Sequence, residues 1–450
     1  MIQMTLAQAA AILGLTDQTA SNEFHGISID TRTLEPGNLF IALPGAHVDG
    51  HDFVEQARQK GAIAAIVTRH VDSPLPQLQV KDIVDALGKL SAHWRNQFNI
   101  PFLAVTGSNG KTTLKNMIAS ILKAACNGDE SQVLATKGTL NNHLGLPLTL
   151  ARLNKNHRYA AIEMGMNHFG EIEYLTKLTR PHVAVITNAA AAHLEGVGDM
   201  AGVARAKSEI FLGMPENGTA ILNRDDAFFT FWREQIGQRP FLTFGMHPDA
   251  DVTAIVHAAN QTQHITLKTP QGNIDIYLPL LGKHNILNTL AASASALAIG
   301  ISLDAIKKGL ETISPAPGRL QLHTLENGVK IIDDTYNANP ISVEAAVETL
   351  AAFTGKKILV LGDMKELGSD AKSIHASVGE KIRQAGIDYL FTYGELSANT
   401  AQTFGEGAYH FNEQEKLITA LKPLLHNQTT ILVKGSRSMK MEKVVMTLMQ

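Results

Sequence analysis

The sequence predicts an α/β protein of three domains. They are a small N-terminal α/β domain (residues 1–84), a central domain with a parallel sheet of the phosphate-loop ATPase type (85–314), and a C-terminal doubly wound, Rossmann-like domain (315–450). Three observations lead there. The chain has 450 residues, too many for one ordinary core. Short, wholly apolar runs alternate with helical segments, the pattern of parallel strands buried on both faces. Between one such run and a helix lies a glycine loop, Thr106-Gly107-Ser108-Asn109-Gly110-Lys111-Thr112-Thr113.

Taken in order, residues 26–29, 38–42 and 62–67 are β-like runs broken by Pro36-Gly37 and Pro44-Gly45 turns, and a helix near 83–94 leads into the next unit. The run 102–105 opens the central domain, the glycine loop follows, and a helix runs on through Leu114, Ile118, Ile121 and Leu122. Residues 159–162 and 183–186 read as further buried strands, and 200–212 as a helix. The stretch 252–278 alternates polar and apolar residues, as an antiparallel patch would, and 287–299 is Ala-rich helix. Pro315-Ala316-Pro317-Gly318 marks a domain boundary, beyond which 329–332, 357–361, 389–392 and 430–433 read as strands. No G-x-G-x-x-G fingerprint accompanies them, so this last unit is not read as a dinucleotide site.

A net charge of −3 gives no electrostatic footprint for nucleic acid or an anionic membrane. The single cysteine, Cys126, excludes an internal disulfide and fits a reducing compartment. No basic leader and no membrane-length apolar run stand in the sequence. The expectation is a cytoplasmic protein that is not inserted in a membrane.

In the glycine loop, backbone N–H groups from Gly107, Ser108, Asn109 and Gly110 through Thr113 would converge on one anion at a helix N-terminus. Lys111 would reach the β- and γ-phosphates, and the Thr112 hydroxyl would hold Mg²⁺. The loop has the shortened form G-x-x-G-K-T, because Val105 stands where the general pattern has its first glycine. Ligands of open parallel sheets bind beyond the carboxyl ends of strands, where Glu163 and, after 183–186, Thr187, Asn188 and His193 fall. Carboxylate and imidazole there are candidate metal ligands, although imidazole is an unusual partner for Mg²⁺. Lys207 has Val203, Ala204, Ile210 and Phe211 as helical neighbours, so it lies on an apolar face. Two readings stay open: a buried stem with its head in water, or an amine of depressed pKa available for chemistry. Asp333 to Pro340, dense in polar side chains, and Lys434-Gly435-Ser436-Arg437 each follow a strand and precede a helix, the latter with the geometry of an anion site. Arg319, just after the Pro/Gly boundary, could reach across the cleft to a γ-phosphate.

Together these segments resemble the Mur ligase family of ATP-dependent amide-forming enzymes, over nearly the whole chain and in the family's order. Ile29-Asp30-Thr31-Arg32, Pro36-Gly37-Asn38-Leu39-Phe40 and Asp49-Gly50-His51 are similar to the family's UDP-sugar-binding domain, which implies Ser28, Asp30 and Arg32 as substrate contacts. Gly282-Lys283-His284-Asn285-Ile286-Leu287-Asn288 resembles the segment whose asparagines, here Asn285 and Asn288, approach adenine. Pro317-Gly318-Arg319-Leu320 resembles the segment with the γ-phosphate arginine, and Asp334 falls on the ribose contact. Glu163 and His193 fall where the family binds Mg²⁺, with two ions expected. Lys207 falls on the family's carbamylated lysine, formed with CO₂, which would turn an apolar-face amine into an anionic ligand. The family's Gly-Asn-x-Asn-Asn loop reads Gly138-Thr139-Leu140-Asn141-Asn142 here, a departure at 139 that leaves Asn141 and Asn142 as candidates.

Within the family, the segments 334–340, 361–368 and 434–437 are most similar to those of the member that joins D-alanyl-D-alanine to UDP-MurNAc-tripeptide. That implies Tyr336, Asn337, Lys434, Ser436 and Arg437 as further substrate contacts. It also implies catalysis by Lys111, Lys207, Glu163, His193 and Arg319 in a monomer. A related ligase adding a single amino acid is the alternative. A phosphate-loop switch without ligase activity is opposed by the UDP-type N-terminal segment and by the lack of an N-K-x-D motif.

Overall fold

Alternation with a period of two decides how the central sheet is buried. In the strand Phe102–Thr106, Leu103 and Val105 enter one hydrophobic cluster while Phe102 and Ala104 enter another. A strand apolar on both faces must be covered on both, and here it is. A computed structural model describes residues 1–15, 22–45, 48–190, 194–257 and 263–450. The central sheet is wholly parallel, its strands lying in the order Phe241–Phe244, Thr219–Asn223, Val183–Ile186, Phe102–Thr106, Tyr159–Glu163, Val133–Ala135. The helices Lys111–Ala125, His284–Leu297 and Leu303–Glu311 cover one face, and Gly145–Ala151, Glu171–Thr179 and Met200–Ser208 cover the other.

The alternating stretch forms the expected antiparallel patch, Thr253–His257, Gln263–Thr269 and Gly272–Leu278. Its inner residues Ile265, Leu267, Ile276 and Leu278 join the same cluster as the helix His284–Leu297. The N-terminal unit is a four-stranded parallel sheet, with a small antiparallel pair, Gln3–Thr5 and Glu23–His25, beside it. The C-terminal unit is a six-stranded sheet in the order Gln321–Thr324, Lys330–Asp334, Thr429–Lys434, Lys356–Gly362, Tyr389–Tyr393, Ala408–Phe411. Only its first strand is antiparallel.

Two local structures differ from expectation. The helix expected over 200–212 is α-helical at Met200–Ser208 and tightens to 3₁₀ at Glu209–Gly213. Its start is fixed by Asp199, whose side chain accepts from the Gly202 N–H at 2.7 Å. The boundary expected between 84 and 85 falls inside the helix Ile83–Arg95, which packs on both neighbouring units. Trp94 Nε1 donates to Leu153 O at 3.1 Å, and the Arg95 guanidinium lies 4.0 Å over the Phe102 ring. This helix therefore fastens the N-terminal unit to the central one. Among the described residues no helix is long and apolar enough to cross a membrane.

Candidate functional site

The carboxyl ends of the central strands open into a cleft of about 620 Å³ bounded on its far side by the C-terminal unit. The glycine loop forms its floor. Gly107 has φ +147°, and a Cβ there would stand 1.7 Å from Thr187 Oγ1, so only glycine fits. That crowding brings the loop against the next strand end. Thr187 Oγ1 donates to Asn109 O at 2.6 Å, Asn188 Oδ1 accepts from Asn109 N–H at 3.1 Å, and Ser108 N–H donates to Asn188 O at 3.0 Å. Gly110, with φ +83°, then turns the chain into the helix Lys111–Ala125, whose first N–H groups face the cleft. The Lys111 ammonium donates to Gly107 O at 2.8 Å and Ser108 O at 3.2 Å.

Glu163 ends its strand with a carboxylate 1% exposed. Its Oε1 accepts from Thr112 Oγ1 at 3.2 Å and from Asn141 Nδ2 at 2.8 Å, while Oε2 is shielded from water and has no partner. A buried carboxylate oxygen left unpaired is costly, and oxygen donors are the set a hard divalent ion takes. Thr112 and Glu163 therefore fit Mg²⁺. Burial lowers the pKa of both Lys111 and Lys115, and the Glu163 charge opposes that fall. Lys207 is 2% exposed, and desolvation holds its pKa well below the usual lysine range, with the Lys111 charge adding to the effect. A buried amine of depressed pKa is what the second of the two sequence readings requires. His193 lies outside the described residues.

From the C-terminal unit, Arg319 Nη2 donates to Thr112 Oγ1 at 3.2 Å, and its guanidinium lies 4.1 Å over the Tyr336 ring. Asn285, Asn288, Asn142, Asp334, Asn337 and Lys434 also line the cleft. Several are occupied with local work. Asn142 Oδ1 accepts from Gly145 N–H at 2.9 Å, and Asn288 Nδ2 donates to Asn285 Oδ1 at 3.0 Å. Lys434, on the strand beside Asp334, pairs with its Oδ2 at 2.6 Å and donates to Asn337 O at 2.9 Å.

Five expected substrate contacts do not line this cleft, and of the other expected site residues Gly107 and Lys207 do not line it either. Ser28, Asp30 and Arg32 belong to the N-terminal unit, where Arg32 clasps Asp30 in a two-pronged ion pair that lowers the Asp30 pKa to about 2. Ser436 Oγ accepts from Lys365 N–H at 2.8 Å, and Arg437 pairs with Glu442 at 3.3 Å. Sequence reasoning missed Asn339. It caps the helix Pro340–Ala351 by accepting from Ser342 N–H, and its Nδ2 donates 2.8 Å across the cleft to Asn109 Oδ1. An Asn-Pro pair signals the cap but not the tie. His284, whose burial pushes its pKa down to about 4, was also passed over.

Family models match three stretches: the Mur ligase family catalytic domain over residues 23–95, the Mur ligase middle domain over 105–296, and the Mur ligase glutamate ligase domain over 318–437. The chain is 46% identical to the UDP-N-acetylmuramoyl-tripeptide–D-alanyl-D-alanine ligase of Escherichia coli (strain K12), covering 100% of this chain and 99% of that one. A crystal structure of MurF from Acinetobacter baumannii superposes with a TM-score of 0.93 at 37% identity, covering 100% of this chain and 99% of that one. MurF ligase from Thermotoga maritima, in complex with ADP, gives 0.83 at 27%, covering 94% and 96%. Full-length identity at this level, three matched domains in order and a shared three-unit architecture have one reading: the chain belongs to the Mur ligase family of ATP-dependent ligases.

Proposed function

We propose that this chain joins D-alanyl-D-alanine to the C-terminal carboxylate of a UDP-MurNAc-tripeptide, with ATP converted to ADP and phosphate. The full-length 46% identity to the Escherichia coli ligase carries this reading. The substrate carboxylate oxygen attacks the γ-phosphorus, the bond to ADP breaks, and an acyl phosphate results. The dipeptide's amine then attacks the acyl carbon, loses a proton, and phosphate leaves as the amide forms.

The chain's part is positioning and charge. The loop N–H groups from Gly107 to Thr113 hold the phosphates, and Lys111 turns from its own loop carbonyls to them. Arg319, kept flat by Tyr336, reaches from the C-terminal unit to the γ-phosphate beside Thr112. Asn285 and Asn288 face adenine, and Asp334 faces ribose. Asn141 and Asn142 meet the nucleotide-linked substrate near Glu163. Ser28, Asp30 and Arg32 take its UDP end, and Tyr336, Asn337, Lys434, Ser436 and Arg437 order the dipeptide side.

Thr112 and Glu163, with His193 and a carbamate on Lys207, would hold two Mg²⁺ ions. Bound there, they neutralise charge on the transferring phosphoryl group. The near-complete burial of Lys207 supports the carbamate, because a neutral amine is the form that captures CO₂. The enzyme acts as a monomer in the cytoplasm, where ATP and the nucleotide-linked precursor are available.

Incubation with ATP and UDP-MurNAc-tripeptide tests the assignment. Phosphate release that requires D-alanyl-D-alanine supports it. Release with a single amino acid and not with the dipeptide overturns it in favour of a related ligase. Tripeptides ending in lysine and in diaminopimelate, assayed in parallel, define the third residue.

A further inference from the structure

The outer face of the antiparallel patch carries a cluster that the reaction does not use. His257 and His264 stand directly opposite each other on adjacent strands, His264 stands opposite Tyr277 on the third, and Thr266 stands opposite Asp275. The three rings form one stack. His257 and His264 centroids are 4.3 Å apart, and those of His264 and Tyr277 are 4.5 Å apart. One donor atom each from His257, His264 and Asp275 lies within 4.8 Å of the others.

Hydrogen bonding accounts for only part of this group. Thr266 Oγ1 donates to Asp275 Oδ1 at 2.6 Å and lies 2.7 Å from His257 Nε2, within hydrogen-bond reach. His264 Nε2 is shielded from water and bonds to nothing, 3.9 Å from Asp275 Oδ1. Lys307 bonds the Asp275 backbone carbonyl, pairs with Glu311 at 2.7 Å and lies over Tyr277, rather than pairing with the Asp275 carboxylate. The Thr266 bond, followed by the His264, His257 and Lys307 charges, holds the Asp275 pKa below the usual carboxylate range.

We propose that His257, His264 and Asp275 bind one divalent transition-metal ion of the Zn²⁺ class on the outer face of this sheet. Two imidazoles and a carboxylate, with water completing the shell, are a donor set for Zn²⁺ rather than for Mg²⁺ or Ca²⁺, which prefer oxygen alone. Donors around a tetrahedral ion with bonds of about 2.0–2.1 Å sit roughly 3.3 Å apart. The group must therefore contract by at most about 1.5 Å, a movement open to Asp275, whose side chain is 60% exposed. The ion would clamp all three strands of a sheet whose inner face packs against the helix carrying Asn285 and Asn288.

The test uses the full chain, stripped with a chelator and desalted. Zn²⁺ is titrated against a chromophoric chelator, and Co²⁺ is added separately as a visible-absorbing probe. The wild type should take up one more equivalent of Zn²⁺ than the His257→Gln/His264→Gln double variant, and its thermal midpoint should rise further with Zn²⁺ than the variant's. His264→Gln alone should weaken the site about tenfold or more. Glu163→Gln should leave it unchanged, which separates it from the ATP cleft. If the histidine variants have a lowered midpoint in chelator, Asp275→Asn takes their place. Equal Zn²⁺ uptake and equal thermal response in wild type and variants would overturn the site.

Discussion

Asn339 does two jobs that one substitution can separate. Its Oδ1 caps the helix Pro340–Ala351, and its Nδ2 ties that helix to Asn109 in the phosphate loop, 230 residues away. Asn339→Ser keeps a good cap but is too short to reach Asn109, whereas Asn339→Ala loses both. A net hydrogen bond contributes about 0.5–1.5 kcal/mol, and a buried polar group left unpaired costs about 1–3. Asn109 Nδ2 is already buried without a partner, so removing the tie leaves the whole amide unsatisfied. About 1.4 kcal/mol follows as a middle value, which is tenfold in kcat/KM for ATP. The cap adds about 1 kcal/mol in the alanine variant only, roughly fivefold faster amide exchange at Ser342. Steady-state kinetics and hydrogen exchange on both variants check the pair of numbers. Wild-type kcat/KM in Asn339→Ser would refute the tie. Equal loss of Ser342 protection in both variants would refute the separation.

Other outcomes follow from the same cleft. Glu163→Gln keeps the volume and the Oε1 acceptor but removes the charge beside Lys111 and Lys115; kcat should fall about 10²–10³-fold with circular dichroism unchanged, and near-normal turnover would remove Glu163 from the metal site. Lys207→Ala should abolish turnover, and partial rescue by a short carboxylic acid is expected if a carbamate acts there. Unchanged turnover would return Lys207 to a buried stem with no chemical role. His284 has a folded pKa of about 4 against a usual 6.5, so the folded chain refuses a proton that the unfolded chain accepts between those values. Stability should therefore fall as pH drops from about 6.5 towards 4, by at most about 3 kcal/mol. His284→Gln should flatten that part of a urea-midpoint profile, and an unaltered acid limb would show that His284 titrates normally.

What the sequence discloses depends on how much of each decision is local. Phe102–Thr106 and Val183–Ile186 are legible because burial on both faces demands an unbroken apolar run. Ala408–Phe411 at a sheet edge has two exposed residues in four, and Gln77–Gln79 has one buried residue in three, so neither stands out as a period. The same division runs through the site. The phosphate loop declares itself because the N–H cradle, the lysine and the hydroxyl lie within eight consecutive residues. Lys207 shows as an anomaly because helical neighbours define its apolar face, yet only tertiary packing brings its exposure down to 2%. Lys115 sits one helical turn beyond Lys111 and reads as an ordinary solvated lysine, until the neighbouring strand end brings Glu163 close enough for their charges to interact. The tie between Asn109 and Asn339 lies wholly on the far side of this line, since neither asparagine carries a mark of the other. The loop proposed to hold the phosphates is therefore readable from spacing, while residues that tie the C-terminal unit to that loop emerge only when the units are packed together.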